Sequence, residues 1–364
     1  MKRNNSIELI RIIAMLGVVL THLITIGGVL FNTDFFSLNY FLVEFIQVWT
    51  RIGVPLFIII TGYLMYNKKW KIERLIDIFC QVFFWALLFL VVILIVSPQM
   101  LSLDNLIDNF FPYFRGYYWY IIAYTGLFAL SPVVNIALST LDKNIRKEYL
   151  IFPFFLFSII PTFFNTDLFY LNEGRSTLYL ILMYSLGNYL KRTNSIERFS
   201  KKFFLYFFLT NIALAYLGNL TIAYCAAIFL NKQFFFTTQF FYAYTSPFII
   251  AASVSLFAFI MKLKIEDSKL LYFLSSNSFA VYLIHANPLI LNLLIRNNFI
   301  SLSNKNFFIC LFSLMLFSSI IYLIAASLNF IRNLLFNKHF SSCSLFIKLQ
   351  LFKFLNFVFS IKIR

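Results

Sequence analysis

Long apolar runs alternate with short polar segments along almost the whole chain. A membrane-spanning helix needs about 20 mostly apolar residues. Ten segments approach or exceed this length, and their predicted ranges are 7–30, 41–66, 75–97, 117–138, 149–164, 177–190, 203–229, 240–261, 273–294 and 307–330. The fifth segment is short and contains Pro153 and Pro161, so we expect it to be tilted or broken. The pattern predicts an all-α polytopic membrane protein with about ten transmembrane helices.

The amino-acid composition excludes the main soluble classes. Of the 364 residues, 61% are hydrophobic and 12% are charged, whereas an ordinary soluble domain has about 25% charged residues. A single soluble core could not bury this much apolar surface, because such cores stop growing near about 250–300 residues. The chain is therefore not a cytosolic enzyme, a secreted disulfide scaffold or a disordered protein.

The net charge of +16 would by itself allow a nucleic-acid partner. If the N-terminus lies inside, however, the predicted inner segments carry 23 Lys and Arg residues and the outer segments carry five. Arg11 and Arg51 complete the 30 and lie within predicted spans. This asymmetry predicts that both termini are cytoplasmic, and it explains the basicity without nucleic acid.

Two regions are predicted from the distribution of spans. Residues 1–331 form one membrane domain, and residues 332–364 form a basic amphipathic cytoplasmic tail. The tail alternates apolar clusters with Lys348, Lys353 and Lys362, which is typical of a helix that lies on the inner membrane surface. An eleventh span is the alternative, but it would have to bury these lysines.

The first span contains three polar residues that are costly in lipid, Glu8, Arg11 and His22. Arg11 and His22 are eleven residues apart, which in an α-helix is three turns plus about 20° and a rise of about 16 Å. They therefore share one helix face. Either Arg11 pairs with Glu8 and His22 makes an interhelical hydrogen bond, or Arg11 binds an anionic ligand from inside and His22 is a titratable base deeper in the membrane.

The second span is followed directly by a basic loop. Gly53, Pro55 and Gly62 predict a bend and a close approach of helix backbones. After them, four cations occur within seven residues, namely Lys68, Lys69, Lys71 and Arg74. This loop either binds phosphates or serves only to fix the topology.

In the ninth span, His285 follows Tyr282 by three residues, so both lie on one helix face. A hydrogen-bonded structural histidine and a functional one are both compatible with this spacing.

In this order, the motifs resemble those of acyltransferase family 3, and the resemblance covers residues from about 7 to about 330. Arg11 and His22 are similar to its R-x10-H signature. The segment Gly53-Val-Pro-Leu-Phe with Thr61-Gly62-Tyr63 is similar to its G-V-x-x-F-F and S-G elements, and Lys71-Ile72-Glu73-Arg74 is similar to its R-x-x-R element. Further along, Trp119-Tyr120, Ser131-Pro132 and Tyr282-Leu-Ile-His285 complete the match.

The resemblance implies a function. Members move an acyl group, usually acetyl, from cytoplasmic acyl-CoA to an acceptor at or beyond the outer face, such as an O-antigen, a capsule or another exported polysaccharide. We therefore expect a multi-pass O-acyltransferase of the bacterial cytoplasmic (inner) membrane. Its expected partners are acetyl-CoA or another acyl-CoA as donor, a glycan acceptor and the lipid bilayer, with no metal and no nucleic acid.

Roles for single residues follow from the same resemblance. His22 is expected to be catalytic, as a general base or a transient acyl carrier, and Arg11 to bind the CoA portion. Lys71 and Arg74 are expected to bind the CoA phosphates, and Tyr282 and His285 the substrate.

Members often have a carboxylate outside the first span. Asp34 and Glu44 are both candidates for it, and Glu44 is preferred as the catalytic partner because it is closer to the second span. Two residues depart from the family pattern: Thr61 replaces Ser and keeps the hydroxyl, whereas Lys71 replaces Arg and loses its planar fork. We expect no hydrolase-like domain after the tenth span.

The principal alternative is a transporter or a flippase of lipid-linked glycan. Such proteins commonly show two related halves with broken helices at matching positions, and the sequence shows no such pairing. A scaffold or a glycan polymerase is less favoured because the predicted outer segments are short.

Overall fold

The computed structural model describes residues 3–113, 115–116, 118–229 and 240–360, and these residues contain helices but no strands. The predicted all-α architecture is therefore confirmed. The α-helices are α1 (Asn5–Thr25), α2 (Leu38–Thr50), α3 (Gly53–Met65), α4 (Glu73–Val96), α5 (Leu103–Phe110), α6 (Trp119–Thr140), α7 (Lys143–Phe154), α8 (Ile160–Phe164), α9 (Thr177–Arg192), α10 (Lys201–Phe229), α11 (Pro247–Met261), α12 (Lys269–His285), α13 (Pro288–Ile290) and α14 (Phe307–Ser360).

Within the described ranges, seven helical segments are long and apolar enough to cross a membrane, and an eighth is added if the bent segment of α12 and α13 counts as one span. Helix α11 is apolar but shorter. Each of the ten predicted segments overlaps helical residues. The number of ten spans and the orientation stay predictions. Four residues that entered the charge count lie outside the described residues, namely Lys2, Lys232, Lys362 and Arg364.

The fifth predicted span is not broken: residues 143–164 form one helical segment. A π-helical turn, Phe155–Ile159, joins α7 to α8. A proline removes one backbone donor and disturbs the preceding turn, so a local rearrangement of the hydrogen-bond ladder is expected between two prolines.

Helix α1 lies at the centre of the bundle and packs closely on α2 and α3. The Thr21 hydroxyl donates a hydrogen bond of 2.7 Å to the Thr50 hydroxyl. A Cβ atom at Gly53 would lie only 2.6 Å from the Ala14 carbonyl oxygen. The break between α2 and α3, at Arg51 and Ile52, therefore lies against the middle of α1. The close backbone approach that Gly53 predicted is made with this helix.

Helices α3 and α9 cross at two glycines. A Cβ at Gly62 would overlap the Tyr184 carbonyl oxygen, and a Cβ at Gly187 would overlap the Ile59 carbonyl oxygen. Small residues at such a crossing let the two backbones approach closely, which is how helices associate where lipid surrounds them.

Helix α12 ends inside the protein, because Asn287 and Pro288 break it. The axis turns by 66° between α12 and the following segment. The Asn287 side chain accepts from the backbone N–H of Leu289 at 3.0 Å and donates to the Tyr118 hydroxyl at 3.1 Å. The break leaves His285 at a buried helix end.

Helix α14 continues from the last predicted span into the tail as a single helix of 54 residues. A part of it beyond the predicted span packs on α4: the Ser344 hydroxyl donates to Asp77 at 2.8 Å, and Lys348 pairs with Glu73 at 2.5 Å. The structure thus shows a helical tail joined to the bundle. Its cytoplasmic position on the membrane surface stays a prediction.

Candidate active site

A cavity of about 290 Å³ lies between α1, α3, α6 and α12. The lining side chains are Arg11, Met15, Val18, His22, Val54, Phe57, Trp119, Tyr120, Tyr244, Ser275, Ser276, Ser278, Phe279 and Tyr282. The four residues from α1 recur every three or four positions, which is one face of a helix. The predicted common face of Arg11 and His22 is therefore confirmed, and that face borders the cavity.

Arg11 both pairs with Glu8 and borders the cavity, so it has a feature of each of the two roles considered for it. Its guanidinium forms an ion pair with Glu8 at 3.2 Å, and it also borders the cavity. The Arg11 side chain is 32% exposed, whereas that of Glu8 is 7% exposed. The buried carboxylate orients the guanidinium and leaves it able to meet a ligand.

His22 lies beside a second histidine that comes from the other end of the sequence. The ring centroids of His22 and His285 are 5.0 Å apart. Nδ1 of His285 contacts the Val281 carbonyl oxygen; because a carbonyl only accepts, this nitrogen carries the proton. Nε2 of neutral His285 is then an acceptor. Neither this atom nor Nδ1 of His22 has a hydrogen-bond partner among the described residues, although both are buried.

Tyr282 and His285 share a face of α12, as predicted, and their rings meet edge-on at 6.3 Å. The Tyr282 ring also packs on those of Tyr118 and Tyr120, each at 5.7 Å. Tyr282 borders the cavity directly. An aromatic wall therefore connects α6 with the histidine pair.

The two candidate carboxylates occupy different environments. Asp34 is exposed in the connection between α1 and α2. Glu44 is only 1% exposed, and its Oε2 accepts a hydrogen bond of 3.2 Å from Asn219. In the described structure neither carboxylate hydrogen-bonds His22, whose ring neighbour is His285. The catalytic role expected for Glu44 stays a prediction.

The basic loop follows α3, and neither Lys71 nor Arg74 borders the cavity that contains Arg11 and His22. Lys71 is exposed, whereas Arg74 is partly buried and contacts the Met65 sulfur at 2.7 Å. The hydroxyl that Thr61 retains donates to the Phe57 carbonyl oxygen of its own helix at 2.9 Å.

A family model described as an acyltransferase domain matches residues 4–347, nearly the whole chain. The chain belongs to acyltransferase family 3. No curated protein and no solved structure matches it. Membership in acyltransferase family 3 establishes acyl transfer as the activity, and the apolar helices make the protein a multi-pass membrane acyltransferase.

Sequence reasoning missed a further polar face on α2. Gln47 and Arg51 follow Glu44 at three and seven residues, a spacing that puts all three side chains on one side of the helix. Arg51 is 4% exposed, and its guanidinium lies 5.6 Å from the Tyr242 ring centre and 5.4 Å from that of Tyr244. The recurrence of polar residues every three or four positions within an apolar span was the available signal.

Proposed function

We propose that this protein transfers an acyl group, most readily acetyl, from cytoplasmic acyl-CoA to a hydroxyl group of a cell-surface or exported polysaccharide. It would be an O-acyltransferase of the bacterial cytoplasmic membrane. The observation that carries the proposal is the cavity that Arg11 and His22 share. Their eleven-residue separation corresponds to about 16 Å along α1.

The donor fits this layout from the inner surface. Lys71 and Arg74 would bind phosphates of CoA at the inner surface. Arg11 would bind the diphosphate at the point where the pantetheine arm of CoA begins. The apolar side chains of Met15, Val18 and Phe57 then border the path to His22. They suit a thin pantetheine arm and limit the access of water to the thioester.

His22 can promote the transfer in either of two ways. As a general base, it takes the proton of the acceptor hydroxyl while the oxygen attacks the thioester carbonyl, the C–S bond breaks, and the CoA thiolate leaves and recovers the proton. As an acyl carrier, an imidazole nitrogen displaces CoA first, and the hydroxyl then attacks the acyl-imidazole. Both routes give one ester and free CoA. Nε2 of His285 is an acceptor beside this reaction.

The test compares the surface polysaccharide of cells that produce the wild-type protein, His22→Ala or Thr25→Val. Thr25 is the matched control, because it lies on α1 but does not border the cavity; its hydroxyl donates to the Thr21 carbonyl. Mass spectrometry and NMR would give the acyl group and its position. At equal membrane levels, we expect His22→Ala to lose the acyl group and Thr25→Val to retain it. Unchanged acylation with His22→Ala would refute the role of His22.

A further inference from the structure

Two arginines come together at the predicted inner ends of α7 and α9. We name them the arginine pair: Arg146 from α7 and Arg192 from the last turn of α9. Both residues are partly buried. Burial lowers the pKa of Arg192, and the charge of Arg146 lowers it further. The two guanidiniums therefore lie close enough to repel each other.

The protein does not neutralise the charge of the arginine pair. Among the described residues, no carboxylate forms an ion pair with either guanidinium. A terminal nitrogen of Arg146 donates to the Leu141 carbonyl oxygen at 2.6 Å, and its buried Nε has no partner among these residues. Arg192 donates from Nε to the Asn188 side chain at 3.3 Å, and its guanidinium lies 5.6 Å from the centre of the Tyr66 ring. Because a guanidinium has five N–H donors, donors remain for an anion.

An apolar groove begins beside the arginine pair and follows α7. Its volume is about 840 Å³, and Leu141, whose carbonyl oxygen binds Arg146, borders it. The other side chains that line this α7 groove include Ile145, Tyr149, Ile151, Phe152 and Phe155.

The length of the α7 groove matches one leaflet of a membrane. From Ile145 to Phe155 the helix rises about 15 Å, which is half of the about 30 Å hydrocarbon core of a bilayer. Glu148 also borders the groove, but it is exposed and lies about 200° round the helix from Arg146. Its charge is therefore on the side of α7 opposite to the arginine pair.

The arginine pair and the α7 groove together select one class of ligand. Two cations without a carboxylate favour a phosphate group, which arginine binds with two parallel hydrogen bonds. The apolar groove beside them favours a fatty acyl chain. A soluble phosphate compound would match the cations alone, whereas an anionic phospholipid matches both. Basic pockets between transmembrane helices on the cytoplasmic side bind lipid headgroups in this way.

We propose that Arg146 and Arg192 bind the phosphate of an anionic phospholipid of the inner leaflet, and that an acyl chain of this lipid lies in the α7 groove. The phosphate would cancel the repulsion between the two arginines and so stabilise the packing of α7 against α9. This lipid site lies outside the cavity of Arg11 and His22, and it does not depend on the proposed function.

The test uses purified full-length protein in detergent micelles supplemented with phosphatidylcholine or with phosphatidylglycerol. Native mass spectrometry gives the relative affinity for the two lipids, and tryptophan fluorescence gives the thermal unfolding temperature. We expect phosphatidylglycerol to bind more tightly and to raise the unfolding temperature. Arg146→Gln and Arg192→Gln should each reduce the preference for phosphatidylglycerol about fivefold, the contribution of one cation near anionic lipid.

Two control variants separate charge from structure. Lys147→Gln removes an exposed cation next to Arg146 on α7 and should leave the lipid preference unchanged. Arg146→Lys keeps the charge and should retain more of the preference than Arg146→Gln. If Arg146→Gln does not fold, Arg192→Gln alone decides.

A purely structural role of the arginine pair predicts a different result. The arginine variants would then unfold at a lower temperature by the same amount with either lipid, and their preference for phosphatidylglycerol would equal that of the wild type. This outcome would overturn the inference. Inorganic phosphate and CoA, added without lipid, test a soluble ligand. If CoA stabilises the wild type but not Arg192→Gln, and phosphatidylglycerol stabilises neither, the lipid site is refuted.

Discussion

Replacement of Arg11 by Gln tests whether the cation of the cavity holds the diphosphate end of the donor. The Arg11 guanidinium is oriented by Glu8 at 3.2 Å and borders the cavity. A hydrogen bond to a charged group contributes about 1.5–3 kcal/mol, and each 1.4 kcal/mol is a factor of ten. We therefore expect KM for acetyl-CoA to rise about 10- to 100-fold. The kcat should change little, because His22 is untouched.

The assay compares acetyl-CoA with S-acetyl-pantetheine, which keeps the thioester and the arm but lacks the diphosphate. Arg11→Gln should weaken use of acetyl-CoA alone. An equal loss with both donors would refute the phosphate contact. The double variant Glu8→Gln with Arg11→Gln separates binding from stability, since it leaves no uncompensated buried carboxylate. Arg115→Gln is the control: Arg115 also forms an ion pair, with Asp108 at 2.7 Å, but on the predicted outer side.

Three further substitutions test other parts of the structure. The double variant Lys71→Gln and Arg74→Gln should raise KM for acetyl-CoA several-fold. It should also make this KM less dependent on salt concentration, because salt screens exposed charges. An unchanged salt dependence of KM, measured by steady-state kinetics, would contradict phosphate binding. His285→Ala should lower kcat by about 10²–10⁴-fold if its Nε2 takes part in proton transfer, and single-turnover rates equal to the wild type would show that it does not. Gly187→Val should lower the thermal unfolding temperature in detergent, because its side chain would overlap the Ile59 carbonyl oxygen; Gly17→Ala, whose Cβ would be 3.3 Å from the Thr50 carbonyl oxygen, should be mild by comparison.

The face of α1 that carries Arg11 and His22 could be predicted because helical periodicity is a local property. The same holds for the pair Tyr282 and His285 and for the all-α class, which follows from span length and composition. In each case, one stretch of chain contains the whole signal.

The approach of His22 and His285 to 5.0 Å could not be predicted from the spacing of residues. It depends on the break at Asn287 and on the packing of α12 against α1, which join residues far apart in sequence. The position of Tyr242 beside Arg51 could not be predicted either, because it also joins residues that are far apart in sequence. The preference for Glu44 as the partner of His22 rested on its position near the second span and stays a prediction; in the structure its carboxylate accepts a hydrogen bond from Asn219.

The most direct test of the central claim is the sidedness of transfer in sealed inside-out membrane vesicles, which expose the cytoplasmic face. Radiolabelled acetyl-CoA, which does not cross the bilayer, is added to the medium, and label on glycan is measured inside and outside the vesicles. We expect label to accumulate on luminal glycan with the wild-type protein and not with His22→Ala. Label only on acceptors in the medium, or equal luminal labelling with His22→Ala, would contradict transfer across the membrane through the cavity of Arg11 and His22.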